Sequence, residues 1–202
     1  MCPTFGVQVK PGFIWFIIDT LSHLYKILLF LISIPFRLKG GKLGKGSIIS
    51  PGYDFLFVNL KGVRIGKNCA IGRNAWLELL NNNSNLEIGD FTNIGRNVTI
   101  SSLKSIRIVK KCLLSYNVSL LDHDHLVVNP RISPMDGYLT EGQKIVIEDD
   151  CFIGAHSFIL KGVHLGKHCV VGANSVVTKS FPAYSIISGN PAQLLKNIKE
   201  SW

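Results

Sequence analysis

Aliphatic residues recur every six positions from Val63 onward. They stand at Ile65, Ile71 and Leu77, at Ile88, Ile94 and Ile100, and at Ile108, Leu114 and Leu120. The series resumes at Ile147 and runs through Ile153, Ile159, Leu165, Val171 and Val177. Seven of these fifteen residues are followed directly by Gly. Three positions after the aliphatic residue come Asn68, Asn74, Asn97, Asn117, Asp150, Gly162 and Asn174, types that tolerate the positive φ of a tight corner. Four positions after it come small or β-branched residues, including Cys69, Cys112, Cys151 and Cys169. The fourth position and the next aliphatic residue are two apart, so on a strand both point inward. Each hexamer therefore predicts one short strand and one corner, three hexamers one triangular coil, and fifteen hexamers about five stacked coils. The fold class is an all-β solenoid.

Three breaks interrupt the period: residues 79–85, two extra residues near Leu103, and a step of 27 positions from Leu120 to Ile147. The last is expected to leave the solenoid as a surface loop, residues 122–144. His123, His156 and His168 all fall in the corner phase, whereas His125 lies beyond it at the start of the loop. Ahead of the repeat, Phe13 to Ile34 hold 16 apolar residues out of 22, broken by Asp19, His23 and Lys26. This predicts a hydrophobic helix ended by Pro35, with Arg37, Lys39, Lys42 and Lys45 just beyond it. The polar interruptions suit a helix lying in a membrane interface against anionic headgroups better than a spanning one. At the other end, Asn190-Pro191 reads as the start of a short C-terminal helix through about Glu200. The expected organisation is an N-terminal segment 1–45, a solenoid domain 46–181 and a C-terminal extension 182–202.

Composition narrows the partners. The chain has 202 residues, is 47% hydrophobic and 17% charged, which excludes a disordered chain. A formal net charge of +9 favours anionic lipid or a phosphorylated ligand. The charge reads as dispersed and no stacking platform stands out, so nucleic acid is not an expected partner. None of the five cysteines forms a Cys-x-x-Cys pair, and four share the inward-facing phase. They read as core fillers in a reducing cytoplasm.

The phased hexamers, with Val176-Val177-Thr178-Lys179 and Ser188-Gly189-Asn190-Pro191-Ala192, closely resemble the hexapeptide-repeat acyltransferases. The likeness covers about residues 60–198 and is greatest to sugar O-acetyltransferases of the galactoside, maltose and surface-polysaccharide type. The resemblance implies a left-handed parallel β-helix, a homotrimer, and acetyl-CoA as donor with no metal. His164 and His168 lack the spacing of the zinc histidines in carbonic anhydrases of this fold.

Similar enzymes place their catalytic histidine where this chain has His125, within Asp122-His123-Asp124-His125. Histidine titrates in the range a general base needs to activate an alcohol. His123 is the second candidate, and Asp122 or Asp124 would orient the imidazole. Carried over position by position, the cofactor contacts fall on Ala155, Ala173, Thr178, Lys179 and Lys196. The chain departs from the family at Phe152, where Trp is frequent, at Gly95 in place of an acceptor-binding Asn, and at Gln193 in place of a nucleotide-holding Arg.

The expectation is acetyl transfer to a sugar hydroxyl, on a free or lipid-linked glycan in surface-polysaccharide synthesis. The enzyme would be cytoplasmic and peripheral at the inner face of the cell membrane. The alternatives are an N-acyltransferase for a nucleotide-linked amino sugar and a non-catalytic scaffold at a membrane. A serine acetyltransferase is disfavoured because the long helical N-terminal domain of such enzymes is absent.

Overall fold

The computed structural model describes residues 27–28, 30–52, 60–126, 133, 135 and 139–199. Strands β1 (Lys42–Leu43) and β2 (Ile48–Ile49) begin a parallel solenoid. The first full coil is β3 (Val63–Ile65), β4 (Ala70–Ile71) and β5 (Trp76–Leu79). The second is β6 (Asn85–Ile88), β7 (Asn93–Ile94) and β8 (Thr99–Ser102), and the third β9 (Ser105–Ile108), β10 (Leu113–Leu114) and β11 (Ser119–Leu121). The fourth is β12 (Ile145–Ile147), β13 (Phe152–Ile153) and β14 (Phe158–Leu160), and the fifth β15 (His164–Leu165), β16 (Val170–Val171) and β17 (Val176–Val177). Strands β18 (Ser185–Gly189) and β19 (Ala192–Asn197) close the stack.

Corresponding strands form three parallel faces, in the orders β1-β3-β6-β9-β12-β15, β2-β4-β7-β10-β13-β16 and β5-β8-β11-β14-β17. The architecture is that of a left-handed parallel β-helix. The six-residue period is its stacking register. Ile71 pairs with Ile94, Ile94 with Leu114, Leu114 with Ile153 and Ile153 with Val171. All fifteen aliphatic repeat residues are buried. The solenoid starts earlier than the repeat does, because β1 pairs with β3 and β2 with β4.

The corners are as expected: Asn68, Asn74, Asn97, Asn117, Asp150, His156, His168 and Asn174 have φ between 52° and 59°, and Gly162 has 79°. The Gly after the aliphatic residue serves another purpose. A Cβ at Gly89 would fall onto the Val109 carbonyl oxygen, and one at Gly95 would lie 2.6 Å from the Ser115 carbonyl carbon. Here the next coil passes too close for any side chain. The inward cysteines are buried, and their thiols donate across coils: Cys69 to Gly89 O (3.2 Å), Cys112 to Glu148 O (3.0 Å), Cys151 to Gly166 O (3.2 Å) and Cys169 to Pro182 O (3.2 Å).

The three breaks in the period share one corner, between the third face and the first, and they bond to one another. Asn81 Nδ2 and Ser84 Oγ donate to Leu103 O at 3.0 and 2.8 Å. In turn the backbone N–H groups of Leu103, Lys104 and Ser105 donate to the Asp122 carboxylate at 2.6, 2.9 and 2.8 Å, and Ser102 Oγ at 3.0 Å. Asp122 is fully buried, so this carboxylate fixes where the large loop leaves the solenoid.

Both ends differ from the sequence reading. Residues 13–26 and 29 of the apolar segment lie outside the described residues, but 30–38 are helical, so the helix does not stop at Pro35. Proline lacks a donor, yet its carbonyl still accepts from Lys39 N at 3.0 Å, and Phe36 is fully buried in the core. Packing of that ring, against a Gly41 that leaves room for it, holds the last turn. Among the described residues no helix is long and apolar enough to cross a membrane. At the C-terminus there is a β-hairpin where a short helix was expected. Asn190-Pro191, a cis peptide, is its two-residue turn, and β19 pairs antiparallel with β18 from Gly189↔Ala192 to Ser185↔Asn197. The open edge of β18 offers unpaired backbone groups, and β19 satisfies them. Only Ala192 of β19 is buried, so the pairing with β18 and not side-chain burial holds the segment.

Substitutions at Gly89 and Asn97 separate these constraints. Gly89→Ala is expected to lower unfolding stability by about 1–3 kcal/mol, from overpacking between coils. Asn97→Ala costs ~1–2 kcal/mol for a left-handed corner, whereas Asn97→Gly is close to neutral. Urea unfolding followed by circular dichroism checks both. Asp122→Ala strips the acceptor from four donors and should cost at least about 1.5–3 kcal/mol in the same assay.

Candidate functional site

The third face differs from the other two. None of its aliphatic residues is followed by Gly, and β5 and β8 run four residues where the second-face strands β4, β7 and β10 run two. The extension turns Glu78, Ser101 and Leu121 outward in one row, with Glu78 paired to Ser101 and Ser101 to Leu121 across the coils. Ser101 Oγ donates to Glu78 Oε2 at 2.7 Å. The row floors a cavity of about 520 Å³, lined also by Thr99, His123, Asp124 and His125.

The loop's neck holds the histidines over this floor. His125 forms an antiparallel bridge with Leu139. Thr140 N donates to Asp124 O at 2.8 Å, Thr140 Oγ1 accepts from Asp124 N at 3.1 Å, and Gln143 N donates to Asp122 O at 2.7 Å. Residues 122–125 and 139–143 are thus stapled together, although residues 127–132, 134 and 136–138 of the predicted loop lie outside the described residues. His125 is exposed to the cavity. His123 is not a corner residue, since the backbone has already left the repeat and its φ is not positive.

Neither carboxylate takes the role expected of it toward His125. Asp122 Oδ1 lies 3.2 Å from His123 Nδ1, and the His123 side chain is only 9% exposed. Asp124 Oδ2 forms an ion pair with Lys161 Nζ at 2.6 Å, and that amine also donates to Thr140 Oγ1 at 3.2 Å.

The expected cofactor residues fall into three places. Ala155 and Ala173 stack on consecutive coils at the corner between second and third faces, where Asn174 N donates to Ala155 O at 2.9 Å. Thr178 and Lys179 follow β17, and Lys179 Nζ donates to Gln193 Oε1 at 3.2 Å. The residue standing where the family has Arg is thereby held beside the expected phosphate-binding lysine. Lys196 lies further along β19, exposed and opposite Ile186.

The perturbed groups, Glu148 and the stacked thiols of Cys112, Cys151 and Cys169, lie elsewhere. His164 Nε2, 2.8 Å from Glu148 Oε1, holds that exposed carboxyl below its usual range, aided by Lys167 N. Hydrogen bonding to Cys112 and Cys169, together with burial, pushes the Cys151 thiol up, and the same bonds hold the Cys112 and Cys169 thiols below the usual range. The sequence reading missed Glu78, Thr99, Ser101 and Lys161. A signal for Glu78 and Ser101 was available: they stand directly after Leu77 and Ile100, where other repeats have Gly.

A family model, the hexapeptide repeat of succinyl-transferase, matches residues 62–77 and 144–179. The chain is 30% identical over 177 residues to a probable acetyltransferase of Mycobacterium tuberculosis, covering 82% of this chain and 57% of that protein. It is 32% identical over 119 residues to WbbJ of Escherichia coli K12, assigned to O-acetyl transfer in lipopolysaccharide biosynthesis, covering 55% and 57%. The chain thus spans little more than half the length of these two relatives. Among solved structures, a hexapeptide-repeat acetyltransferase of Vibrio cholerae superposes with TM-score 0.57 at 27% identity, covering 81% of this chain and 77% of that one. The N-acyltransferase AntD of Bacillus cereus, crystallised with dTDP and 3-hydroxybutyryl-CoA, shares the fold with TM-score 0.68 at 23% identity, covering 82% and 88%. With fifteen stacked hexamers and these likenesses, the chain is a hexapeptide-repeat protein similar to acetyltransferases built on that repeat.

Proposed function

We propose that the protein transfers an acetyl group from acetyl-CoA to a hydroxyl of a sugar, in surface-polysaccharide synthesis, with His125 as general base. The observation that carries this reading is the cavity in which an exposed histidine, fixed on the stapled neck, faces the polar floor of Glu78, Thr99 and Ser101. A carboxylate and two hydroxyls suit a ligand rich in hydroxyl groups. The O-acetyl transferase relative supports the acceptor class, and the acetyltransferase relatives support the donor.

His125 takes the proton of the acceptor hydroxyl. The oxygen attacks the thioester carbonyl, and the tetrahedral oxyanion collapses to the ester. The coenzyme leaves as its thiol, taking the proton back from the imidazolium. The donor would lie along the Ala155–Ala173 corner, where small side chains admit a pantetheine arm, with Thr178, Lys179 and Lys196 toward its phosphates. The chain would act as a homotrimer in the cytoplasm, peripheral to the inner face of the cell membrane.

A second assignment of the base has its own observation. The Asp122–His123 contact would fix one imidazole tautomer and stabilise its cation, as a dyad requires. His125→Ala and His123→Ala, compared separately, decide between them.

Calorimetry with acetyl-CoA is expected to give saturable binding near one site per subunit, weakened in a Lys179→Ala, Lys196→Ala variant. No heat with folded protein would sink the donor assignment. In acetyl transfer to a panel of glycans and amino sugars, His125→Ala should lose ~10²- to 10⁴-fold in rate while keeping acetyl-CoA affinity. Transfer to amines alone would replace the hydroxyl acceptor with an amino sugar.

A further inference from the structure

We infer that the N-terminal end of the solenoid is a docking surface for an anionic lipid bilayer, holding the coil stack end-on to the membrane. The inference rests on the membrane-peripheral reading above and adds the surface and its orientation.

The helix of residues 30–38, with 27 and 28, has two faces of opposite character. Ser33 and Phe36 are buried, and the Phe36 ring belongs to the solenoid core, so the helix is fixed on the end of the stack. At 100° per residue the opposite face carries Ile27, Leu31 and Leu38, flanked by Leu28 and Phe30. Ile27, Leu28, Phe30 and Leu31 are 52–59% exposed and Leu38 81% exposed. Five large apolar side chains therefore point away from the only core the described residues contain. An exposed stripe of this kind on a fixed helix needs an apolar occupant.

Charge selects which one. Residues 27–80 hold eight Lys or Arg and two Asp or Glu, a net +6 of the chain's formal +9. The charge is thus not dispersed, as its even spread along the sequence had suggested. It is gathered at one end of the solenoid. Arg37 is in the last turn of the helix, Lys39, Lys42 and Lys45 follow it, and Lys61, Arg64, Lys67 and Arg73 belong to the first full coil and its approach, all of them exposed. The one described acid in this stretch, Glu78, accepts from Ser101 in the cavity. An apolar stripe rimmed by cations complements an anionic headgroup layer over an acyl interior, whereas a second copy of the same end would bring +6 against +6.

The orientation has a consequence for the site. Glu78 is on the first full coil, Ser101 on the second, and the histidines follow β11 on the third. With strands ~4.8 Å apart, the cavity stands within about 15 Å of the first coil. A sugar carried on a lipid reaches that height from the same bilayer, so the acceptor class that fits is a lipid-linked glycan.

The test is flotation of the full chain with vesicles of phosphatidylcholine alone or of equal parts phosphatidylcholine and phosphatidylglycerol. The mixed vesicles should carry the protein, less so as salt rises, and the neutral ones little. Lys42→Gln with Lys45→Gln should weaken partitioning about 25-fold, and Phe30→Glu with Leu31→Glu should abolish it. Absence of binding by the unmodified protein overturns the inference. So does equal binding by the variants, which would put the anchor elsewhere. A change in oligomeric mass of the Phe30→Glu, Leu31→Glu variant with vesicle binding unchanged also overturns it, because a second copy then covers the stripe. Acetyl-CoA calorimetry on the same preparations separates the two readings: vesicle binding without acetyl-CoA binding fails the transferase alone, and the reverse fails the docking surface alone.

Discussion

Everything in this molecule follows from how closely one coil lies on the next. Parallel strands pair at a fixed spacing, and the six-residue period keeps buried residues in register from Ile71 through Val171. The corners bring backbones nearer still, so a Cβ at Gly89 would meet the Val109 carbonyl. Side-chain choice at the corners is therefore a matter of clearance and of φ, not of chemistry. Thiols fit the same logic: each inward cysteine is small enough for its layer and donates to the carbonyl of the coil above. Because each coil touches only its neighbours, the stack needs a plug at each end. Phe36 supplies one and the β18–β19 hairpin the other.

A structure so uniform has no functional site where its rule is obeyed. The site arises at the one corner where the rule breaks three times. Residues 80–84 and 103–104 widen that corner, and Asp122 then binds the widened backbone with a buried carboxylate. Only after this anchor is the chain free to leave the stack and return at Ile145. The same corner lengthens β5 and β8, and so turns the row of Glu78, Ser101 and Leu121 toward the cavity beneath the loop. Asp122 is therefore structural toward the solenoid and directional toward His123, two roles that a single carboxylate reconciles because its four oxygen lone-pair sites face both ways.

This explains what could be read from the chain and what could not. Strand positions, inward residues and corner residues are periodic, and periodicity is local information, so Asn68 through Asn174 were legible without coordinates. Histidines at the start of the insertion were legible because the insertion itself was. Partners set by stacking were not. Glu78 is 47 positions before His125 and shares a cavity with it only because the coils stack. Lys161 reaches Asp124 for the same reason. The ends were misread where a local signal competed with an open edge: Asn190-Pro191 has the residue types of a helix start, yet β18 left a row of backbone groups that only a strand could pair.

The quasi-one-dimensional stack also links the two ends of the functional argument. A globular enzyme on a membrane can tilt about many contacts, but a stiff column capped by a helix on one end transmits the helix's position to every coil above it. The neck carrying His125 is stapled to the column by Asp122, Asp124 and Thr140, so it adds little freedom of its own. The height of the histidines over the Phe36 plug is then set by the number of coils between them, a quantity written into the repeat. Inserting a whole coil beneath the first full one would leave the fold's register intact and move the site by one strand spacing, ~4.8 Å. A column of this kind measures distance from whatever holds its base.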